Sequence, residues 1–453
     1  PFALVLTDKI WFNHMSKKKR QMERMKEGLM SENLHKSHAV AVGARRGNAG
    51  SVNRVRSWSR FLAVSLVATS GMAAFAEFKT APVPAKVPEL LKMDSGEMVK
   101  NREQWEKVRA PELLEEFTLN EYGRRPAGRP DSLVFEKAEP DMGMMAGKAV
   151  RKRIRVSYEG KYGKGSFVFT AFIPKCRKKV PAFLLICNRN PVENIDPSRK
   201  VKSGFWPAEE IVDRGYAAIA FWNGDIAPDR NVGNTKGVFG CFENPEGNRP
   251  SDAWGTLSAW GWGASRVMDW IETEPLLDAK KVAVVGHSRG GKTALVTGVY
   301  DKRFAMMCSN DSGNSGAKLN HIDLPGSERV IHIMRSFPYW FCRNYVARVN
   351  AEKDWRVDQH QFIALLAPRL VCIASATEDR WAGPEGEYWS GVLASPAWEL
   401  YGKKGLVSNG FPPPDRPLQD GCISYHLRTG KHNLTPYDWK VYMDFADRHG
   451  WRK

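Results

Sequence analysis

Residues 282–293 read VAVVGHSRGGKT. Val282 to Val285 is a short apolar run, the length of a strand buried on both faces. A glycine-rich turn follows, and Thr293–Tyr300 continues as a helix. Strand, tight turn and helix in that order satisfy two patterns. One is G-x-S-x-G, through Gly286, Ser288 and Gly290. Its glycines permit a sharp turn that presents the Ser288 hydroxyl at the carboxyl end of a sheet. The next backbone N–H lies at the start of the helix, where it can stabilise an oxyanion. The other is G-x-x-x-x-G-K-[ST], through Gly286, Gly291, Lys292 and Thr293. That is the phosphate-cradling loop of a P-loop NTPase.

What lies around the motif separates the two. The match falls far into the chain, late for a nucleotide fold built around its first strand. A targeting signal precedes it, which points away from compartments rich in ATP. Downstream, residues come in the hydrolase order nucleophile, acid, histidine. The apolar run Leu370–Ala376 ends at Thr377-Glu378-Asp379, a carboxylate just past a strand's carboxyl end. Gly430-Lys431-His432 lies on a Gly-flanked loop before a helical tail. Ser288 is therefore expected as nucleophile, His432 as base and Asp379 as the acid orienting it, with Glu378 as the substitute. His287, His321, His332, His360 and His426 are expected to pack or cap.

The rest of the chain agrees with a sheet covered on both sides. Arg153–Tyr158 alternates, and Phe167–Ile173 is aromatic and β-branched. Ala182–Cys187 and Tyr216–Trp222 are continuous apolar runs, the mark of strands buried on both faces. Leu257, Trp260, Ala264, Val267, Met268 and Ile271 recur at helical spacing. Helices are also expected over Glu97–Val108 and Pro111–Glu121. Strands alternating with helices predict a three-layer αβα sandwich with a mostly parallel central sheet; taken with the order of Ser288, Asp379 and His432, the expected fold is that of an α/β-hydrolase. Residues 224–251 show no periodicity, and a loop that long usually belongs to an active site.

The amino terminus reads as targeting. Arg54, Arg56 and Arg60 precede the apolar run Phe61–Ala68 and a small-x-small site at Ala74-Phe75-Ala76, the order of a secretory signal peptide. The run is too short to span a bilayer stably. The expected organisation is an upstream segment 1–53 with no role in the enzyme, a signal peptide 54–76, an extension 77–110 and one esterase domain 111–453. The mature protein is expected to be secreted or periplasmic, monomeric and off the membrane. Of the net charge of +18, half lies in residues 1–76, which hold 13 Lys/Arg and 4 Asp/Glu. The remainder is scattered without a basic-aromatic stripe, so nucleic acid is not an expected partner. Secretion makes disulfides possible. The 7 cysteines are odd in number and none forms C-x-x-C. Cys187, Cys308 and Cys372 sit in apolar runs, as buried thiols do. There is no H-E-x-x-H, EF-hand loop or Cys/His cluster with ligand spacing, so no metal or organic cofactor is expected.

From about Glu116 to the carboxyl terminus the sequence resembles the glucuronoyl esterases, carbohydrate esterase family fifteen, above all the bacterial branch. The blocks that carry it are WGWGASRVMDWIETEPLLDAKKVAVVGHSRGGKTAL (260–295), SNDSGNSGAKL (309–319), SFPYWF (336–341), DQHQFIALLAPRL (358–370), ASATEDRWAGPEGEY (374–388) and GKHNLTPYDW (430–439). Gly286, Ser288, Arg289, Gly291 and Lys292 match the family's G-x-S-R-x-G-K, which also accounts for the P-loop match. The resemblance implies that Arg289 helps hold the oxyanion and that Lys292 contacts the uronic-acid hydroxyls. Ser288 and Lys292 are also four apart, on one helical face. It implies a second candidate acid, Asp311, besides Asp379; which of them orients His432 stays open. It places Trp381 against the sugar and Glu328 against the uronate, although the segment before Glu328 is about two residues longer than the family's. His287 and Asn433 stand where fungal members have a disulfide, so that bridge is absent.

The expected reaction is hydrolysis of (4-O-methyl-)glucuronic acid esters, as in lignin–glucuronoxylan linkages of plant cell wall. An acetyl xylan esterase and a non-catalytic carbohydrate-binding relative are the competing readings. The mild positive charge of the mature chain favours an acidic polysaccharide only weakly at physiological salt.

Overall fold

The computed structural model describes residue 84 and residues 87–176, 178–233, 235–349 and 355–452. The upstream segment 1–53 and the expected signal peptide 54–76 lie outside the described residues. A ten-stranded mixed sheet runs through the described part. Its strands are β1 (Ser132–Lys137), β2 (Asp141–Met144), β3 (Ala149–Gly160), β4 (Gly163–Pro174), β5 (Val180–Cys187), β6 (Ala217–Trp222), β7 (Leu277–His287), β8 (Met306–Asn310), β9 (Leu370–Ala376) and β10 (Ile423–Arg428). The spatial order is β1-β3-β4-β6-β5-β7-β8-β9-β10, with β2 beside β3. The first four strands and the β4–β6 junction pair antiparallel, while β6, β5, β7, β8, β9 and β10 run parallel. This is the α/β-hydrolase fold, as expected.

The parallel part is covered on both faces, and the sequence shows why. Every residue of β5, β8, β9 and β10 is buried, which only helices on both sides of a sheet can achieve. The principal helices are α1 (Ala110–Phe117), α2 (Ala208–Asp213), α3 (Thr256–Ile271), α4 (Arg289–Tyr300), α5 (Gln359–Ala364), α6 (Pro384–Ala394) and α7 (Pro436–Arg448). All of α3 is buried, with Trp260, Trp262 and Trp270 among the largest enclosed side chains. Leu90, Met93, Val99 and Trp105 pack into the same core as the sheet.

One expected helix starts later than its sequence suggests. Over Glu97–Val108 the helical turn begins at Arg102, because the Asn101 side chain accepts from Gln104 N–H at 3.0 Å and caps it there. Before it, Lys92 and Met98 bridge around Gly96, whose φ of 89° suits glycine.

The sheet order places four strands side by side, β7, β8, β9 and β10, all pointing the same way. Their carboxyl ends therefore open along one edge, where ligands of open α/β sheets bind. The tightest point on that edge is the β7–α4 turn. A Cβ on Gly286 would stand 1.9 Å from the Gly290 carbonyl oxygen, so only glycine fits. Gly286→Ala should lose about 1–3 kcal/mol or more of stability in chemical denaturation. Gly143→Ala, where the nearest atom is 3.5 Å away, should stay within about 0.5 kcal/mol of the parent.

Candidate active site

Ser288, Asp311, Asp379 and His432 each follow one of these four adjacent strands. Ser288 comes directly after β7, with φ 56° and ψ −122°. That conformation costs a non-glycine residue about 1–3 kcal/mol and holds only because its surroundings fix it. Ser288 N–H donates to Asn310 O at 2.8 Å, and Ser288 O accepts from the N–H groups of Gly291 and Lys292. The turn is thus tied to the end of β8 on one side and wound into α4 on the other. That leaves the N–H groups of Arg289 and Gly290, at the start of α4, without an intrahelical acceptor.

The structure distinguishes the two candidate acids by their bonds. Asp379 Oδ2 lies 2.5 Å from His432 Nδ1. Asp311 Oδ2 instead accepts from Arg428 Nη2 and from Asn433 N–H, each at 3.2 Å. Asp311 therefore grips the loop one residue past His432, while Asp379 holds the imidazole itself. Burial, with Glu387 nearby, pushes the Asp311 carboxyl well above its usual range. Glu378 is exposed; its backbone N–H meets Gly430 O. With Nδ1 engaged by Asp379, His432 Nε2 is the nitrogen left for a hydroxyl. No hydrogen bond joins Ser288 Oγ to His432 among the described residues, and such bonds are commonly loose before substrate binds.

Two residues outside the predicted catalytic set hold His432 in place. His287, expected to pack, does so directly under His432, with ring centroids 4.3 Å apart. Its Nδ1 meets Asn310 Oδ1 at 2.6 Å, and burial holds its pKa well below 6.5, so it stays neutral beside the base. Arg428, almost wholly buried, reaches Asp438 through Nε at 3.0 Å and the Lys431 carbonyl through Nη2 at 2.6 Å. The same Nη2 meets the Asn433 carbonyl, so one guanidinium holds the carbonyls of both residues next to His432.

Arg289 leaves the elbow toward residues 224–251. It pairs with Asp229 and lies over the Phe337 and Trp340 rings at 5.2 and 4.9 Å. Asp229 in turn accepts from Trp340 Nε1 at 2.8 Å and from the Tyr339 hydroxyl at 3.1 Å. The aperiodic loop thus supplies the carboxylate that aims the arginine. Arg289 Nε is buried without a hydrogen-bond partner, a donor in reserve.

Lys292 is buried one helical turn beyond Ser288. Its Nζ donates to the carbonyls of Ser312 and Asn314 and lies 3.8 Å from Glu328 Oε2. Desolvation lowers its pKa, and Glu328 opposes that shift. Glu328 Oε1 accepts from Trp381 Nε1 at 3.3 Å, and Glu328 N–H donates to Trp381 O at 2.7 Å. The chain therefore brings Glu328 between Lys292 and Trp381 despite the longer segment before it. Trp381 is 50% exposed and stacks on His332, 5.0 Å away.

Behind the acids, Glu387 accepts from the N–H groups of Ser312 and Gly313 at 2.8 and 2.9 Å and from Ser375 Oγ at 2.6 Å. Burial pushes its carboxyl up to about 7. Asp311, Asp379 and His432 offer three donor atoms within 4.8 Å of one another, a spacing a metal could use. Arg428 already lies on Asp311 Oδ2, and Asp379 Oδ2 is already bonded to His432 Nδ1. All seven cysteines are unpaired, and six are buried.

This geometry matches known proteins. The family model described as glucuronyl esterase of fungi matches residues 202–402. A carbohydrate esterase of an unknown prokaryotic organism is 35% identical over 393 residues, spanning 80% of this chain and 89% of that protein. A solved glucuronoyl esterase from Solibacter usitatus superposes with a TM-score of 0.75 at 32% identity, covering 81% of this chain and 99% of that one. The chain belongs to the glucuronoyl esterase family. A 4-O-methyl-glucuronoyl methylesterase of Hypocrea jecorina is 27% identical over 329 residues, 70% of this chain and 63% of that protein. As a glucuronoyl esterase family member, the chain is a carboxylic ester hydrolase.

The bonding pattern orders the effects of substitution. Asp379→Asn leaves the wrong proton donor opposite Nδ1 and should lower kcat by about 10⁴. Asp311→Asn keeps the imidazole bond and should cost at least tenfold less in kcat. Steady-state kinetics of the two purified variants check this.

Proposed function

We propose that the enzyme hydrolyses esters of 4-O-methyl-glucuronic acid, with the uronate as the acyl half, through a Ser288 acyl-enzyme. The observation that carries the reading is the joining of two groups of residues at one edge. Asp379 and His432 form the acid–base pair beside the Ser288 elbow. One turn along α4, Lys292, Glu328 and Trp381 form a connected cluster of charge, hydrogen-bond acceptor and exposed ring. A pyranose can stack on that ring while its hydroxyls meet the charged groups.

In this mechanism Ser288 Oγ attacks the ester carbonyl and His432 Nε2 takes its proton. Asp379, bonded at Nδ1–H, keeps the imidazole in the tautomer that can accept it and stabilises the cation formed. Negative charge grows on the carbonyl oxygen. Arg289, held by Asp229, and the free N–H groups at the start of α4 oppose that charge. Collapse of the intermediate releases the alcohol, protonated by His432. Water, deprotonated by His432, then attacks the acyl-enzyme and frees the uronate. Arg289 and Lys292 suit this acyl half, because the neutral ester becomes an oxyanion and then a carboxylate.

Substrate in nature is proposed as a lignin–glucuronoxylan ester, and the protein as a secreted or periplasmic monomer. Residues 54–76 support export. No helix among the described residues is long and apolar enough to cross a membrane.

A side-by-side assay of benzyl glucuronate and acetylated xylan tests the substrate. The glucuronate ester should be preferred, Lys292→Ala should raise its KM at least tenfold, and Ser288→Ala should lower turnover by about 10⁴ or more. Preference for acetylated xylan, with Lys292→Ala harmless, would make the enzyme an acetyl esterase.

A further inference from the structure

A cavity of about 410 Å³ opens where α3 passes the end of α4 that lies away from Ser288. With 12 residues in α4, the cavity and the nucleophile are about 18 Å apart along its axis. Four arginines line it: Arg125, Arg129, Arg266 and Arg303.

Three of them are held by carboxylates. Asp269 pairs with Arg129 at 3.0 Å, Arg266 at 2.8 Å and Arg303 at 2.7 Å. Asp301 takes a second nitrogen of Arg303 at 2.7 Å, and Glu272 bridges Arg129 and Arg303. Three carboxylates thus face four guanidinium groups. The unmatched one is Arg125. It has no ion pair among the described residues, and its Nη1 is buried without a hydrogen-bond partner. Its guanidinium lies over the Tyr300 ring at 5.1 Å. Burial brings its pKa down to about 10, so it still carries its charge at neutral pH.

Arg125 as a whole is half-buried, and a charged fork with one donor shut off from water and unpaired is unfavourable unless something accepts from it. Two oxygens of one anion match a guanidinium in a bidentate pair. Trp262 and Tyr300 give the cavity flat apolar walls beside that fork. We propose that this cavity is an oxyanion-binding site, separate from the catalytic edge, in which Arg125 holds the anion. A carboxylate on a sugar ring and inorganic phosphate share this chemistry. The choice of glucuronate as the first probe rests on the function proposed above; the site itself does not.

The experiment titrates the full chain with sodium glucuronate and, separately, inorganic phosphate by calorimetry at constant ionic strength. Wild type and Lys292→Ala should bind saturably, and Arg125→Gln at least tenfold more weakly, with Arg125→Lys between. Turnover of benzyl glucuronate should stay within twofold in Arg125→Gln, which separates this site from the catalytic one. Binding of glucuronate alone would identify a uronate site, and binding of both a general oxyanion site. If Arg125→Gln does not fold, hydrogen exchange on wild type replaces it. Added anion should then slow exchange in residues 124–130 and 262–269. Saturable binding of neither probe, unchanged affinity in Arg125→Gln, or unchanged exchange in those segments would overturn the proposal.

Discussion

Everything at the catalytic edge depends on how closely α4 approaches the end of β7. The Gly286 backbone lies so near the Gly290 carbonyl that no side chain fits between them. Gly291 is less confined but still tight, with an added Cβ 3.0 Å from Asn310 O. That closeness forces the turn, and the turn forces Ser288 into a conformation it would not adopt alone. The strain is held by the sheet: Ser288 N–H is bonded to β8, and Asp311 N–H is bonded to Ala374 of β9. Four parallel strands thereby fix Ser288, both carboxylates and His432 relative to one another. None of the four side chains needs a long flexible loop to reach its place.

Electrostatics around the base follow a different logic from the core. Arg428 is buried between Asp311 and Asp438, and Asp438 also accepts from His426 at 2.8 Å. A buried charge of this kind is tolerated only when it is paired and hydrogen-bonded. Here the Nη2 that meets Asp311 also donates to the carbonyls of Lys431 and Asn433 on either side of His432, so the charge network also sets the position of the imidazole. Asp311 takes part from the other side through Asn433 N–H. The two acids thus act at different levels, one on the ring and one on the loop that carries it. Neutral His287 beneath the ring adds packing without adding a competing charge.

The legible parts of the sequence were those where one physical demand dominates. Ala182–Cys187 and Leu370–Ala376 are buried on both faces and therefore read as continuous apolar runs. β8 and β10 escaped because they mix burial with polarity. Ser309, Asn310, Ser424, His426 and Arg428 are all buried, and partners distant in sequence, such as Asp438, satisfy several of them. β1 and β2 lie at the sheet margin, where Val134 is 51% exposed and the alternation is weak. Ser288, Asp379 and His432 could be ordered from their motif and their strand-end positions. Asp311 came only through family resemblance, since nothing local distinguishes Asn310-Asp311-Ser312 from a loop. Asp229 sits in an aperiodic segment, and its value appears only once Arg289 has folded against it.

The proposed mechanism stands on covalent acylation of Ser288 by the uronate. Rapid acid quench of the enzyme with a glucuronate ester, followed by mass spectrometry of its peptides, tests this directly. A fast-leaving alcohol makes the second half of the reaction limiting, so the acyl-enzyme should accumulate. The account predicts a glucuronoyl adduct on the peptide containing Ser288, formed within the first turnover and absent in Ser288→Ala. Turnover with the adduct on another residue, or persisting in Ser288→Ala, would contradict it.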